Sequence, residues 1–426
     1  MDTAPDRSSL LPAILQRLRA QCPLVSKSIY LANCSQAPLS VPVQAAIQAF
    51  LEEWERLGMH WGGWIDEVEH TRASFAALIG AQPEDIAVGA SVSQLVASVA
   101  SAMVQTRTTR RRILSTVVEF PGVAQAWHAT TRAAEGWRLD LLTGNDAEAV
   151  NADGLEAVCA RLPTQHTHPQ VVVEAQQVVA ALDETTALVS IPLVSYTNGA
   201  LMDVAPVVAA AHAQGALVLL DAYQGAGSVP IDVKASGVDF LVAGTLKYLL
   251  GTAGIAFLYV SPQVRQQLMP VVTGWFGRSN PFDFNPSGLS YADAAKRFDL
   301  GTPPLINAFA ARAGIDLIRE TGVEQIKGQV DRLSALAYRV APELGLRILG
   351  PQQVERKGAI TAIDAGSVEC AHWLEGELRK HGVIASARGE AMRLAAHGFT
   401  LEAELEQALR TVALLLEQAP AEVLAH

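Results

Sequence analysis

The 426-residue sequence predicts an α/β protein. A mostly parallel sheet of seven strands lies between helices and is followed by a smaller α+β unit. Two observations carry this. Between residues 86 and 259, runs of three to seven mostly apolar residues alternate with helical stretches. Several of these runs are apolar throughout rather than at every second position, which marks a sheet buried on both faces, largely parallel and joined by right-handed crossovers. From Phe309 onward the helical pattern dominates, and only two strand-like runs remain.

Taken in order, Leu10–Ala20 reads as a short amphipathic helix ended by Cys22-Pro23. Gln44–Leu57 is a second helix, stopped at Gly58, and Glu67–Ile79 a third, stopped at Gly80. Glycine ends helices readily because it takes the left-handed conformation without a Cβ clash. The expected strands are Ile86–Val88, Ile113–Val118, Arg138–Leu142, Ala187–Leu193, Ala216–Leu220, Phe240–Ala243 and Ile255–Tyr259. Between two of them, Val204–Gln214 has the marks of a crossover helix. Asp203 can cap its start, Pro206 suits its first turn and Gly215 closes it. Residues 163–170 form a polar, proline-bounded loop; its His166 and His168 have no third ligand nearby and read as solvated. The later helices are Ala310–Thr321, Val323–Leu344, Ala371–His381 and Leu401–Gln418, with strand-like runs at Ala359–Ile363 and Ala391–Leu394. The expected organisation is an N-terminal helical segment (1–80) packing on a small domain (309–426), with a large domain (81–308) between them in sequence.

Composition narrows the function classes. Half of the residues are hydrophobic and 18% are charged, so sizeable cores can form and disorder is excluded as the main state. Lys+Arg 32 against Asp+Glu 43 leaves a net charge of −11, which argues against a protein that coats nucleic acid or an anionic membrane. Apolar runs such as Gly215–Leu220 are far short of the roughly 20 residues that span a bilayer. The first residues do not follow the charged-then-apolar order of a signal peptide, so a cytoplasmic location is expected. Cys22, Cys34, Cys159 and Cys370 are scattered without a CxxC pair, which predicts neither a disulfide framework nor a metal site.

The chemistry concentrates between Ser195 and Tyr259. One expected strand leads into Asp221, and the next leads into Gly244-Thr245-Leu246-Lys247. Side chains at the carboxyl ends of neighbouring parallel strands converge on one crevice. An acid and a lysine there suit a carbonyl cofactor held as a Schiff base, the acid keeping a ring nitrogen protonated. The alternative for such a pair is a buried structural ion pair. A dinucleotide-binding domain is the competing α/β reading, but no GxGxxG follows any expected strand.

The surrounding motifs carry a family resemblance. Ser195-Tyr196-Thr197-Asn198-Gly199, Asp203 and the run Leu220-Asp221-Ala222-Tyr223-Gln224-Gly225 through Asp232 resemble the core of class V aminotransferase-fold pyridoxal-phosphate enzymes. Gly237-Val238-Asp239-Phe240, Lys247-Tyr248-Leu249 and Gly254–Tyr259 continue the match in register. Gly274-Trp275-Phe276-Gly277, Phe282-Asp283-Phe284, Arg297-Phe298 and Gly301-Thr302-Pro303-Pro304 are similar to the motifs of kynureninases; cysteine desulfurases and isopenicillin N epimerase are related. The likeness runs from Tyr30-Leu31 to Gly398-Phe399-Thr400.

The resemblance implies a fold type I enzyme with pyridoxal 5'-phosphate as cofactor, an amino-acid substrate and a homodimer whose active sites lie at the subunit interface. It implies that Lys247 bears the cofactor, Asp221 partners its ring nitrogen and Gln224 bonds its phenolic oxygen. Ser91 and the amide of Val92 are implied phosphate contacts, which agrees with a helix starting there, since helix N-termini bind anions; Thr245 and Trp275 are further candidates. Thr302 matches a residue reaching the phosphate from the neighbouring subunit. Phe120 matches the aromatic that stacks on the ring, although a phenylalanine after a buried strand is also ordinary core. Arg393 matches the arginine that clamps the substrate α-carboxylate, a bidentate pairing guanidinium suits; Arg388 is its rival. Asn33, in the Asn33-Cys34-Ser35-Gln36 loop, and Trp64, in Trp61-Gly62-Gly63-Trp64, match substrate-pocket positions. The plainer alternatives are a solvated turn and a packed aromatic cluster.

Departures bear on the reaction. Kynureninases have a histidine where Gln224 stands and a tyrosine where Leu246 stands, and Tyr223 or Tyr248 are the nearest substitutes. Desulfurases need a thiol shortly before the carboxylate arginine, and no cysteine lies between Cys370 and Arg393. The expectation is chemistry through a Cα carbanion, kynureninase-like hydrolase or lyase in motif pattern. Transamination, epimerisation and, less so, C–S bond cleavage are alternatives, and a cofactor-free scaffold is the non-enzymatic one.

Overall fold

A computed structural model describes residues 11–106, 108–144, 149–151 and 169–424. Leu10, Cys159 and the His166/His168 loop lie outside the described residues. The strands are β1 (Ile29–Tyr30), β2 (Ile86–Gly89), β3 (Arg112–Thr116), β4 (Arg138–Leu142), β5 (Ala149–Asn151), β6 (Thr186–Pro192), β7 (Leu217–Asp221), β8 (Phe240–Gly244), β9 (Ala256–Val260), β10 (Ile348–Leu349), β11 (Ile360–Asp364), β12 (Val383–Ile384), β13 (Ser386–Arg388) and β14 (Ala391–Ala395).

The large sheet has eight strands in the order β2-β9-β8-β7-β6-β3-β4-β5. Its centre, β8-β7-β6-β3-β4, is parallel throughout; β9 and β5 run against it. All seven expected strands form, and β5 is an eighth. It carries only Ala149, Val150 and Asn151, partly exposed, and so has no apolar run to announce it. Strands β3, β6, β8 and β9 are buried along their whole length, as expected of a sheet covered on both faces; β3 and β6 also bury the polar side chains of Arg112, Ser115, Thr116, Thr186 and Ser190.

Several helices start earlier than expected, at Val41 rather than Gln44, Leu305 rather than Ala310 and Val368 rather than Ala371. The helix expected from Glu67 begins at Trp61, so Gly62 and Gly63 are helical despite glycine's poor propensity, and packing of Trp64 against Phe50 outweighs it. Helix Val204–Ala213 has Asp203 at its N-cap, but the side chain makes no capping bond. Gly215 closes it at a φ of 74°, as expected.

Two long-range ties shape the region that bears the site. Arg72 and Asp299, both buried, are joined at 2.8 Å; Asp299 also accepts the Val88 N–H at 2.8 Å, which anchors β2 and the segment before Thr302 to one another. At the other end, a four-stranded antiparallel sheet β10-β11-β14-β13 carries the C-terminal helices, and β1 pairs in parallel with β12. Arg19 bridges to Glu404 at 2.6 Å, so the first helix is tied to the last long one. Helices Val41–Leu57 and Trp61–Leu78 pack on Leu305–Thr321. No helix among the described residues is long and apolar enough to cross a membrane, and none of them form a metal-holding cluster.

Candidate active site

Strands β7 and β8 are neighbours, with Asp221 opposite Val242. Asp221 ends β7, and Lys247 stands three residues beyond the end of β8. Both side chains line a cavity of about 410 Å³, within the range of small-molecule sites. The same cavity takes Ser91 and Val92 from the turn after β2, Phe120 from the turn after β3, Gln224 from the turn after β7, and Arg388 and Arg393 from the small sheet. Residues far apart in sequence therefore meet at the carboxyl side of the central strands, as open α/β sheets bring them to do.

The amine of Lys247 lies 4.3 Å from the Tyr223 ring centroid and 5.4 Å from that of Phe120. Gly244 makes this possible: a Cβ there would fall 2.2 Å from the Tyr223 hydroxyl, so only glycine leaves room for the ring. Burial pushes the Lys247 amine down to about 8, against the opposing field of Asp221. A lysine so shifted is a nucleophile near neutral pH. Asp221 accepts the Tyr223 N–H at 2.8 Å. Burial raises its carboxyl above the usual range, while that N–H, Lys247 and a hydrogen bond from Glu119 pull the other way.

Arg393 is 1% exposed, yet among the described residues no carboxylate forms an ion pair with it. Its guanidinium donates to Tyr196 O at 2.7 Å, Ser386 Oγ at 2.7 Å and Ser35 Oγ at 3.1 Å, all neutral acceptors. A cation buried without its counter-charge is costly unless an anion completes the site. Arg388 is exposed at the edge of the cavity and takes no part in this cage. Gln224 donates to Cys34 O at 3.0 Å, and its Oε1 is buried with no hydrogen-bond partner among the described residues. Ser91 caps the helix Val92–Met103, its Oγ accepting the Gln94 N–H at 3.3 Å, so the first turn presents free N–H groups to the cavity.

Five expected site residues stand apart. Thr245 is fully buried and donates to Thr252 O at 2.8 Å. Asn33 is fully buried and donates to Ala395 O at 2.7 Å, so the loop reaches the cavity through Cys34 and Ser35 instead. Trp64 packs 5.5 Å from Phe50 in an aromatic cluster. Trp275 packs among Phe276, Phe282 and Phe284. Thr302 is exposed and absent from the lining. Tyr248 is buried and does not line the cavity, so of these two tyrosines Tyr223 is the one in the lining, together with Tyr196. Sequence reasoning passed over Tyr196, Ser386 and Glu119. Tyr196 stands in the Ser195–Gly199 motif but contributes a backbone carbonyl, and Ser386 a small hydroxyl, roles that residue type does not mark; Glu119 precedes Phe120 directly, and only the fold sets it against Asp221.

The aromatic, amine, acid, helix N-terminus and guanidinium in one cavity have the chemistry to hold an anionic carbonyl compound and a carboxylate. Residues 159–411 match the family description "Aminotransferase class-V". An uncharacterized aminotransferase of Bacillus subtilis (strain 168), YcbU, is 33% identical over 398 residues, 93% of this chain and 97% of the relative. A kynureninase of Pseudomonas fluorescens is 29% identical over 358 residues, 81% of this chain and 79% of its own. A cysteine desulfurase from Thermococcus onnurineus NA1 superposes with a TM-score of 0.80 at 20% identity, covering 95% of this chain and 98% of that one. The chain belongs to the class-V aminotransferase family, a family of pyridoxal-phosphate enzymes with the fold type I architecture described above. The dinucleotide-binding alternative is thereby set aside.

Proposed function

We propose that the protein converts an α-amino acid using pyridoxal 5'-phosphate attached to Lys247. The observation that carries this reading is the pairing, across one cavity, of a buried, neutral-leaning amine with a buried guanidinium that forms no ion pair with a carboxylate of the described residues. Lys247 holds the cofactor's aldehyde carbon, Asp221 its ring nitrogen and Gln224 its phenolic oxygen. The helix start at Ser91 and Val92 receives the phosphate, and Phe120 covers the ring. When bound, the cofactor supplies an electron sink for charge developing at the substrate α-carbon. Arg393 orients the substrate by its α-carboxylate, with Ser35 and Ser386 holding the guanidinium in place. Lys247 Nζ moves protons on the substrate, which its position near 8 suits. Tyr223, its ring beneath the amine, restricts water there. Thr302 serves the site of a second subunit in a homodimer, consistent with its exposure outside the lining of its own cavity.

For the reaction we favour cleavage at the substrate β-carbon in the manner of kynureninases, on the motif pattern. Leu246 lines the cavity where kynureninases have a tyrosine, so kynurenine itself is not the expected substrate. Transamination is the second reading, favoured by the relative named an aminotransferase over 93% of this chain. Borohydride reduction of cofactor-loaded protein, followed by peptide mass analysis, should place the label on Lys247; a colourless, unlabelled protein would support a scaffold instead. An amino-acid screen with product identification separates the two reactions. Cleavage releases a shortened amino acid, whereas transamination releases the keto acid of unchanged carbon skeleton.

A further inference from the structure

Behind Asp221 lies a second buried acid. Glu119 follows β3 and is 3% exposed. Its Oε1 accepts the Phe120 N–H at 2.8 Å, and its Oε2 lies 3.5 Å from Ser190 Oγ, itself held by Trp127 Nε1 at 3.0 Å. The Glu119 carboxyl also hydrogen-bonds Asp221. No lysine, arginine or histidine of the described residues forms an ion pair with Glu119, and the amine that faces the two acids, Lys247, lies on the Asp221 side. Glu119 does not line the cavity.

Two carboxyls in hydrogen-bond contact and out of water cannot both be ionised, so the pair keeps one proton. Its place follows from the partners. Asp221 has the Lys247 amine and the Tyr223 N–H to stabilise a negative charge. Glu119 has a single backbone N–H and a long contact to a serine hydroxyl. Burial and the charge on Asp221 drive the Glu119 carboxyl far above the usual carboxylate range. A carboxylic acid held neutral by an apolar setting is a hydrogen-bond donor at neutral pH.

We infer that Glu119 is a positioning residue: a neutral acid whose O–H donates to Asp221, orienting that carboxylate and holding it ionised for the cofactor's ring nitrogen. This rests on the reading of Asp221 in the proposed function. No bond to the substrate is made or broken; the proton stays on Glu119. Without the donor, Asp221 competes more strongly for the proton it shares with the ring, and the electron sink weakens.

Infrared spectra of the full-length protein at neutral pH, recorded without added cofactor and compared between wild type and variants, test the protonation. The carbonyl band of a protonated carboxylic acid should be present in wild type, lost in Glu119→Gln and retained in Asp221→Asn. Its absence from wild type, or its survival in Glu119→Gln, overturns the inference. With nitrogen-15-labelled pyridoxal phosphate, the ring-nitrogen resonance should match wild type in Glu119→Gln, whose amide still donates, and shift toward the unprotonated position in Glu119→Leu. Turnover should fall about ten- to hundredfold in Glu119→Leu, the scale of one hydrogen bond to a charged group, and less than about threefold in Glu119→Gln. An unshifted resonance in Glu119→Leu, or a glutamine variant as impaired as the leucine one, overturns it. If Glu119→Leu does not fold, the infrared arm and the glutamine variant still decide. If borohydride fails to label Lys247, the cofactor reading falls, while the infrared spectra still report on the acid pair.

Discussion

Two buried lysines with lowered proton affinity sit in different parts of this molecule. Lys247 lines the cavity at the ends of β7 and β8, and burial brings it to about 8. Lys357 is fully buried where the turn after β6 meets the small sheet, bridged to Ala200, and burial alone brings it lower still, to about 7. Among the described residues its amine meets only Thr361 Oγ1 at 3.5 Å and the Tyr338 ring at 5.1 Å. A perturbed amine is therefore not the mark of the site. Lys247 differs in its company: a carboxylate, an aromatic on either side, a helix N-terminus and space for a ligand. Perturbed groups cluster at functional sites, but desolvation by itself perturbs structural ones equally.

The contrast can be broken most directly by substitution. Lys247→Ala should lower turnover roughly a thousandfold or more, through loss of both cofactor attachment and the proton carrier, measured by steady-state kinetics. Asp221→Ala should leave the fold intact by circular dichroism and lower turnover roughly a hundredfold or more; undiminished activity would remove Asp221 from the electron-sink role. Arg393→Ala should raise the KM for the amino acid about ten- to hundredfold while changing cofactor absorbance little. Equal weakening of both would move Arg393 out of the substrate site.

The smallest effect belongs to the other lysine, and it has the opposite sign. Lys357→Met should stabilise the protein by about 2 kcal/mol at pH 7 in urea unfolding, with turnover within about twofold of wild type. The pH dependence follows from linkage. The folded-state value of about 7 lies below the ordinary lysine value of 10.5, so between them the unfolded chain binds more protons. Wild-type stability therefore gains with rising pH over that window, and Lys357→Met should flatten the gain. Lost activity in Lys357→Met would erase the distinction between the two lysines.

Much of this architecture was legible in the residues. Seven strands announced themselves because strands covered on both faces are mostly apolar, and the eighth did not because β5 is short and half exposed. The helix from Trp61 was read short because two glycines obscured a start that packing enforces. Within the site, Asp221, Gln224 and Lys247 were readable because strand ends and motif spacing put them together. Asn33, Trp64 and Thr245 stand apart from the cavity lining, since neighbouring positions in a loop or helix point different ways and only coordinates say which.

By itself, the sequence determined the order of elements and the identity of the reactive groups, because burial periodicity and side-chain chemistry are local properties. Tertiary structure alone decided the environments. The cage of neutral acceptors around Arg393 joins residues 35, 196, 386 and 393, and the acid pair joins residues 119 and 221. Charge states depend on desolvation and on partners brought together from distant segments, and those exist only once the chain has folded.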